Sequence, residues 1–163
     1  MSQGAHLLID GYNVIYAWPS LRGLMAMDLY AAIERLTQDA RLIHDTGTTA
    51  VTLVFDGQGD AVTIENPGGQ PTFAVVYAPR GLSADALIEQ MVANGGKRIE
   101  MTVVTRDGMI ARSVEASGAF VITPETFMDW VKRSEKNQTT DLGNRRRQLD
   151  RQWKNNPFDP EDL

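Results

Sequence analysis

The chain has no cysteine and only two histidines, His6 and His44, among its 163 residues. Disulfides, thiol nucleophiles, iron–sulfur clusters and nearly every structural zinc site are thereby excluded, and a metal, if one binds, must be held by oxygen. Long apolar runs are missing too. Residues 7–9 and 51–55 are typical, far short of the roughly 18 residues that span a bilayer. The start, Met1-Ser2-Gln3-Gly4, lacks the basic-then-apolar pattern of a signal peptide, so a soluble cytoplasmic protein with no membrane partner is expected. No G-x-G-x-x-G occurs, and Gly95-Gly96-Lys97-Arg98 lacks the upstream glycine and following Ser or Thr of a P-loop. No G-x-S-x-G elbow exists either, and neither histidine stands where a serine triad needs its base.

Positive charge is in deficit: 16 Lys+Arg stand against 21 Asp+Glu, a net of −5 at pH 7. The deficit is uneven. Residues 1–130 carry 8 basic and 15 acidic side chains, whereas 131–163 carry 8 and 6. An anionic partner would therefore meet its cations in the tail, above all at Arg145, Arg146, Arg147 and Arg151. The length suits one domain with a sizeable core. The expected division is a folded domain over 1–135 followed by a basic, partly helical tail over 136–163, in which Leu142, Leu149 and Trp153 are spaced to dock a helix.

What is present is an alternation of short apolar runs and amphipathic stretches. Strands are predicted at 6–9, 50–55, 73–77, 101–104 and 119–122, from apolar and β-branched runs closed by turn residues. Helices are predicted from Asp28 to His44, from the Ser83 cap to Ala93, from Met109 towards Gly118, and after Pro124 through Phe127, Trp130 and Val131. Residues 57–72, with four glycines, Pro67 and Pro71, read as a long loop that either closes over a substrate or simply joins two strands. Strands alternating with helices imply an α/β sandwich around a mostly parallel sheet.

Three of those strands are followed by an aspartate: Asp10, Asp56 and Asp107. In a parallel sheet such ends share one edge, where ligands bind. Asp85 falls in the first turn of the next helix and Glu89 one turn on, so five carboxylates are candidates to converge. A single strand-end Asp-Gly is more often a turn or a helix cap, and Asp85 with Glu89 also suits a helix start. Joint occurrence favours the other reading. Like charges gathered without a cation are costly, and oxygen ligands without His or Cys suit Mg²⁺ or Mn²⁺. Such an ion activates water against a phosphodiester and offsets the charge that develops on phosphoryl oxygens.

The stretch Leu8-Ile9-Asp10-Gly11-Tyr12-Asn13-Val14-Ile15, then Ala17-Trp18-Pro19 and Leu21, resembles the opening of the YacP-like group of NYN-domain ribonucleases in the PIN-like nuclease superfamily. Val54-Phe55-Asp56, Ser83-Ala84-Asp85 with Ile88-Glu89, and Val104-Thr105-Arg106-Asp107 follow in the family's order, over about residues 6–133. The resemblance implies a PIN-like (NYN) Rossmannoid three-layer sandwich with a mostly parallel central sheet. It also implies a divalent-metal-dependent endoribonuclease of single-stranded RNA, with messenger RNA on the ribosome as an expected setting. Its acidic cluster maps to Asp10, Asp56, Asp85 and Asp107, with Asn13 as the family's asparagine; Asp10, Asp85, Asp107 and Glu89 are then the expected ligands of Mg²⁺ or Mn²⁺. Ala86 stands where the family often has a further acidic residue, which gives Glu89 more weight or leaves one ion. RNA contacts are expected from Arg80, Arg106, Arg112, Arg145, Arg146 and Arg147, with Tyr12 and Trp18 as base-stacking candidates or core residues. Two rivals remain: a catalytically idle RNA- or ribosome-binding adaptor, and a phosphotransfer receiver domain, which lacks its lysine because 119–124 contains none.

Overall fold

In the computed structural model, which describes residues 4–95 and 99–138, the central strands are apolar on both faces. In β1 (Ala5–Asp10) the side chains of Leu7, Leu8 and Ile9 are all fully buried. Consecutive residues of a strand point to opposite sides, so β1 must be covered by helices on both. It lies between β2 (Thr49–Asp56) and β5 (Glu100–Val104), parallel to each. β4 (Phe73–Ala78) joins β2, and β6 (Phe120–Ile122) joins β5, both parallel. The six-stranded order is β3-β4-β2-β1-β5-β6.

One face of the sheet carries α1 (Gly11–Ala17), α2 (Pro19–Met27), α3 (Leu29–Thr46) and a helix α6 over 124–138. Its core contains Leu7, Ile9, Val14, Leu21, Leu36 and Phe127. The other carries α4 (Ala84–Asn94) and α5 (Gly108–Ala116), packed on Leu8, Val54 and Val103. This is the expected three-layer sandwich. Among the described residues, no helix is long and apolar enough to cross a membrane.

Two features depart from expectation. The stretch 11–27 holds two short helices that periodicity did not reveal, α1 ending at Trp18 and α2 opening on Pro19. The segment 57–72 is not wholly loop, for Thr63–Glu65 forms β3, antiparallel to β4 at the sheet edge, before a 3-10 turn at Pro67–Gly69. The helix α6 runs to residue 138, where the described residues end. The tail positions Leu142, Leu149, Trp153, Arg145, Arg146, Arg147 and Arg151 lie outside the described residues.

Register sets the site. The chain runs outward from β1 through β2 to β4 and then returns to β5 on the other side of β1, so strand order reverses between β1 and β5. That reversal opens a crevice at the C-terminal ends of these strands. Leu8, Val54 and Val103 face α4 and α5. By alternation Asp10, Asp56 and Thr105, each two residues further on, belong to the same side at that edge.

Candidate active site

Asp10 closes β1 and is only 6% exposed. Its Oδ2 accepts a hydrogen bond from Thr105 Oγ1 at 3.3 Å, and Thr105 Oγ1 in turn accepts the Asp107 N–H at 3.1 Å. The Asp10 carboxyl is pushed up to about 7 by burial first, then by the charge of Asp85, which lies within hydrogen-bonding reach, and more weakly by Asp56. The Thr105 hydroxyl works the other way, favouring the ionised form. Two carboxylates are thus held against each other at the switch-point edge.

Asp85 reaches this place because α4 starts there. Ser83 caps the helix by accepting the Ala86 N–H at 3.1 Å, and Asp56 Oδ1 accepts the Ala84 N–H at 2.8 Å. Asp56 therefore ties the end of β2 to the first turn of α4, which fixes where Asp85 stands. Asp107 caps α5: Met109 and Ile110 donate their N–H groups to Oδ1 at 2.9 and 3.4 Å, so both bonds fall on one oxygen. Asn13 Oδ1 accepts the Arg106 N–H at 2.7 Å, joining α1 to the loop after β5 across the crevice. Glu89 lies half-buried on α4, one turn beyond Asp85.

The convergence is narrower than five carboxylates. Asp10 and Asp85 meet, Asp56 is close enough for its charge to act on Asp10, and among the described residues no three His, Asp or Glu form a closed metal-holding group. That donor set still fits a hard cation. Mg²⁺ typically keeps several waters and binds one or two protein carboxylates, the rest coming from substrate phosphates.

The expected cations sit around the same edge with partners of their own. Arg106 is ion-paired with Glu125, the Arg80 Nη2 donates to Gln58 O at 3.2 Å, and the Arg112 Nε donates to Gly108 O at 3.2 Å; all three are exposed. Tyr12 packs edge-on against Phe55, and Trp18 against Phe127, so each has one side in the core. His6 bonds Thr52 Oγ1 at 2.7 Å, and its position four residues back along β1 is about 13 Å from Asp10. His44 bonds Asp45 and Thr72. Sequence reasoning missed Thr105. Its signal was slight: a hydroxyl directly after a buried strand and two residues before an aspartate.

Fold and edge chemistry together define a nuclease-like α/β domain. The chain belongs to the YacP-like NYN domain family, whose model matches residues 7–163, through the tail where the resemblance was expected to fade. The fold is shared with crystal structures of Rae1 (YacP) from Bacillus subtilis. A single-substitution mutant aligns at TM-score 0.68 and 24% identity, covering 82% of this chain and 78% of that one. Another aligns at 0.60 and 23%, covering 91% and 93%. No curated protein matches the chain. The family is one of nuclease-like domains, which supports a ribonuclease-type activity and RNA as substrate.

Proposed function

We propose that the chain is a divalent-metal-dependent endoribonuclease acting on single-stranded RNA. The observation that carries this reading is the pairing of buried Asp10 with half-buried Asp85 at the switch point, costly in charge unless a cation joins it. Asp10 and Asp85 would hold Mg²⁺ or Mn²⁺, with Asp107 and Glu89 as further ligands when substrate closes the site. When bound there, the ion supplies an activated water and offsets charge on the phosphoryl oxygens.

The chain's own residues set the geometry. Asp56 holds α4 so that Asp85 faces Asp10, Thr105 keeps the Asp10 carboxyl turned and partly ionised, and Asn13 fixes the loop that presents Arg106 and Asp107. No histidine or lysine base is needed in this scheme. Messenger RNA on the ribosome is the setting we favour, on the family resemblance, with the basic tail as a phosphate contact.

The test is cleavage of end-labelled single-stranded RNA and DNA by the purified full chain, with and without Mn²⁺. Internal cuts in RNA that EDTA abolishes and that Asp10→Asn lacks are expected. Normal cleavage by Asp10→Asn in Mn²⁺ overturns the assignment. RNA binding without cleavage, together with no heat of divalent-ion binding, would instead make the chain an RNA-binding adaptor.

A further inference from the structure

On the opposite face of the sheet from Asp85, between α3 and the β3–β4 edge, lies a cavity of about 370 Å³. Its walls include Tyr30, Glu34, Gln38 and Arg41 from α3, Glu65 from β3 and Tyr77 from β4. Its Tyr77 end lies towards the strand ends that carry the acid centre. Tyr77 is the register partner of Phe55, the residue before Asp56. The Phe55 ring stacks on Tyr77 at 5.8 Å and meets Tyr12 edge-on at 5.1 Å. Tyr30, 81% exposed, lines the same cavity. The hydroxyls feel one another: Tyr77 is raised by burial, then by Glu65, Tyr12 and Tyr30, and Tyr12 by burial, then by Asp56, Tyr16 and Tyr30.

The chemistry of the walls selects a ligand. Glu34 and Glu65 repel phosphate, so what enters is uncharged and offers N–H groups. Two tyrosines suit a flat ring, since stacking on aromatic side chains is how unpaired bases are commonly held. Among the bases, guanine presents N1–H and the 2-amino group side by side to a carboxylate, and O6 and N7 to a guanidinium or amide. Uracil offers one N–H between two carbonyls that a carboxylate repels. Glu34 and Glu65 supply acceptors for guanine's N–H edge, and Gln38 and Arg41, the latter also ion-paired with Asp45 through Nε at 3.5 Å, supply donors for O6 and N7.

We propose that this cavity is a base-reading subsite which takes one unpaired RNA base, guanine foremost, against Tyr30 and Tyr77, from a strand that passes round the sheet edge to Asp10 and Asp85. The inference rests on the ribonuclease reading for its ligand class, and its test does not involve cleavage. The full chain, free of metal, is titrated with guanosine, adenosine, cytidine and uridine while backbone amide signals are followed by NMR.

Guanosine is expected to move the signals of Thr37 and Gln38, binding about tenfold tighter than uridine. Tyr30→Ala and Glu34→Gln, both at exposed positions and checked by melting curves, are each expected to weaken it about tenfold. Absent shifts, shifts confined to other surfaces, or equal affinity for all four nucleosides overturn the subsite. A chain that binds guanosine here and cuts no RNA overturns the ribonuclease reading and leaves the subsite standing. One that cuts RNA and ignores nucleosides does the reverse.

Discussion

Thr105 Oγ1 donates to Asp10 Oδ2 across 3.3 Å, bringing together residues 95 positions apart in the chain. The same oxygen accepts the Asp107 N–H, so one buried hydroxyl orders both sides of the crevice. Thr105→Val keeps the shape and removes both bonds. It should cost about 1–3 kcal/mol of stability, because a buried acceptor and a donor lose their partner. It should also raise the Asp10 carboxyl further, moving the acid limb of the cleavage pH profile to higher pH. Thr105→Ser should restore the profile. A valine variant with an unmoved acid limb would show that the hydroxyl is only structural.

Asp10 makes metal-free stability depend on pH in a defined direction. Its carboxyl lies at about 7 in the folded chain against an ordinary 3.8. Between these values the unfolded chain has released a proton that the folded chain keeps, so this group's effect is to lower stability as pH rises from about 4 to about 7, then level off. Asp10→Asn removes that loss and should stabilise the metal-free protein at pH 8 by on the order of 2–4 kcal/mol, with little gain at pH 4. Mn²⁺ should raise the melting temperature of the wild-type chain at pH 8 and leave Asp10→Asn nearly unmoved. Parallel melting curves for the two proteins from pH 4 to 8, with and without Mn²⁺, would sink this account.

Gly11 follows Asp10 in the opening motif, and its role is one of space. A Cβ there would meet the Phe55 ring at 2.3 Å, and that ring is fully buried between Tyr12 and Tyr77. The ring has nowhere to go. Gly11→Ala should destabilise the fold by about 1–3 kcal/mol and disturb α1, hence Asn13. Chemical denaturation measures the first effect, and loss of the Tyr12–Phe55 contacts in NMR spectra measures the second. An alanine variant as stable as the wild type would mean that the strand and helix shift freely here.

How much of this was legible beforehand depended on burial. The five strands of the parallel sheet are apolar enough to be read directly, and α3 announces itself through Ala32, Ile33, Leu36, Ala40 and Ile43 on one face, behind the Asp28 cap. The helix α1 did not, since its seven residues start without a side-chain cap and stop before Pro19. β3 is exposed at all three residues, so it shows no alternation to recognise. At the site, the strand-end carboxylates were visible because turn chemistry and strand ends are local. The pairing of Asp10 with Asp85, the turn of Asp56 towards Ala84, and the service of Thr105 all depend on register between strands far apart in the chain, and no single segment encodes that.

Asp107 tests the line between a cap and a catalytic group. As the α5 N-cap it uses Oδ1 for Met109 and Ile110, and an asparagine oxygen caps a helix about as well as an aspartate oxygen does. Asp107→Asn should therefore keep stability within about 0.5 kcal/mol of wild type, whereas Asp107→Ala should lose about 1 kcal/mol. Activity should separate differently, with cleavage in Mn²⁺ falling about tenfold or more in both variants, since each removes the charge offered to the ion. If Asp107→Asn retains full activity and full stability while Asp107→Ala loses only stability, the residue is a helix cap alone, and the ion is held by Asp10 and Asp85 without it.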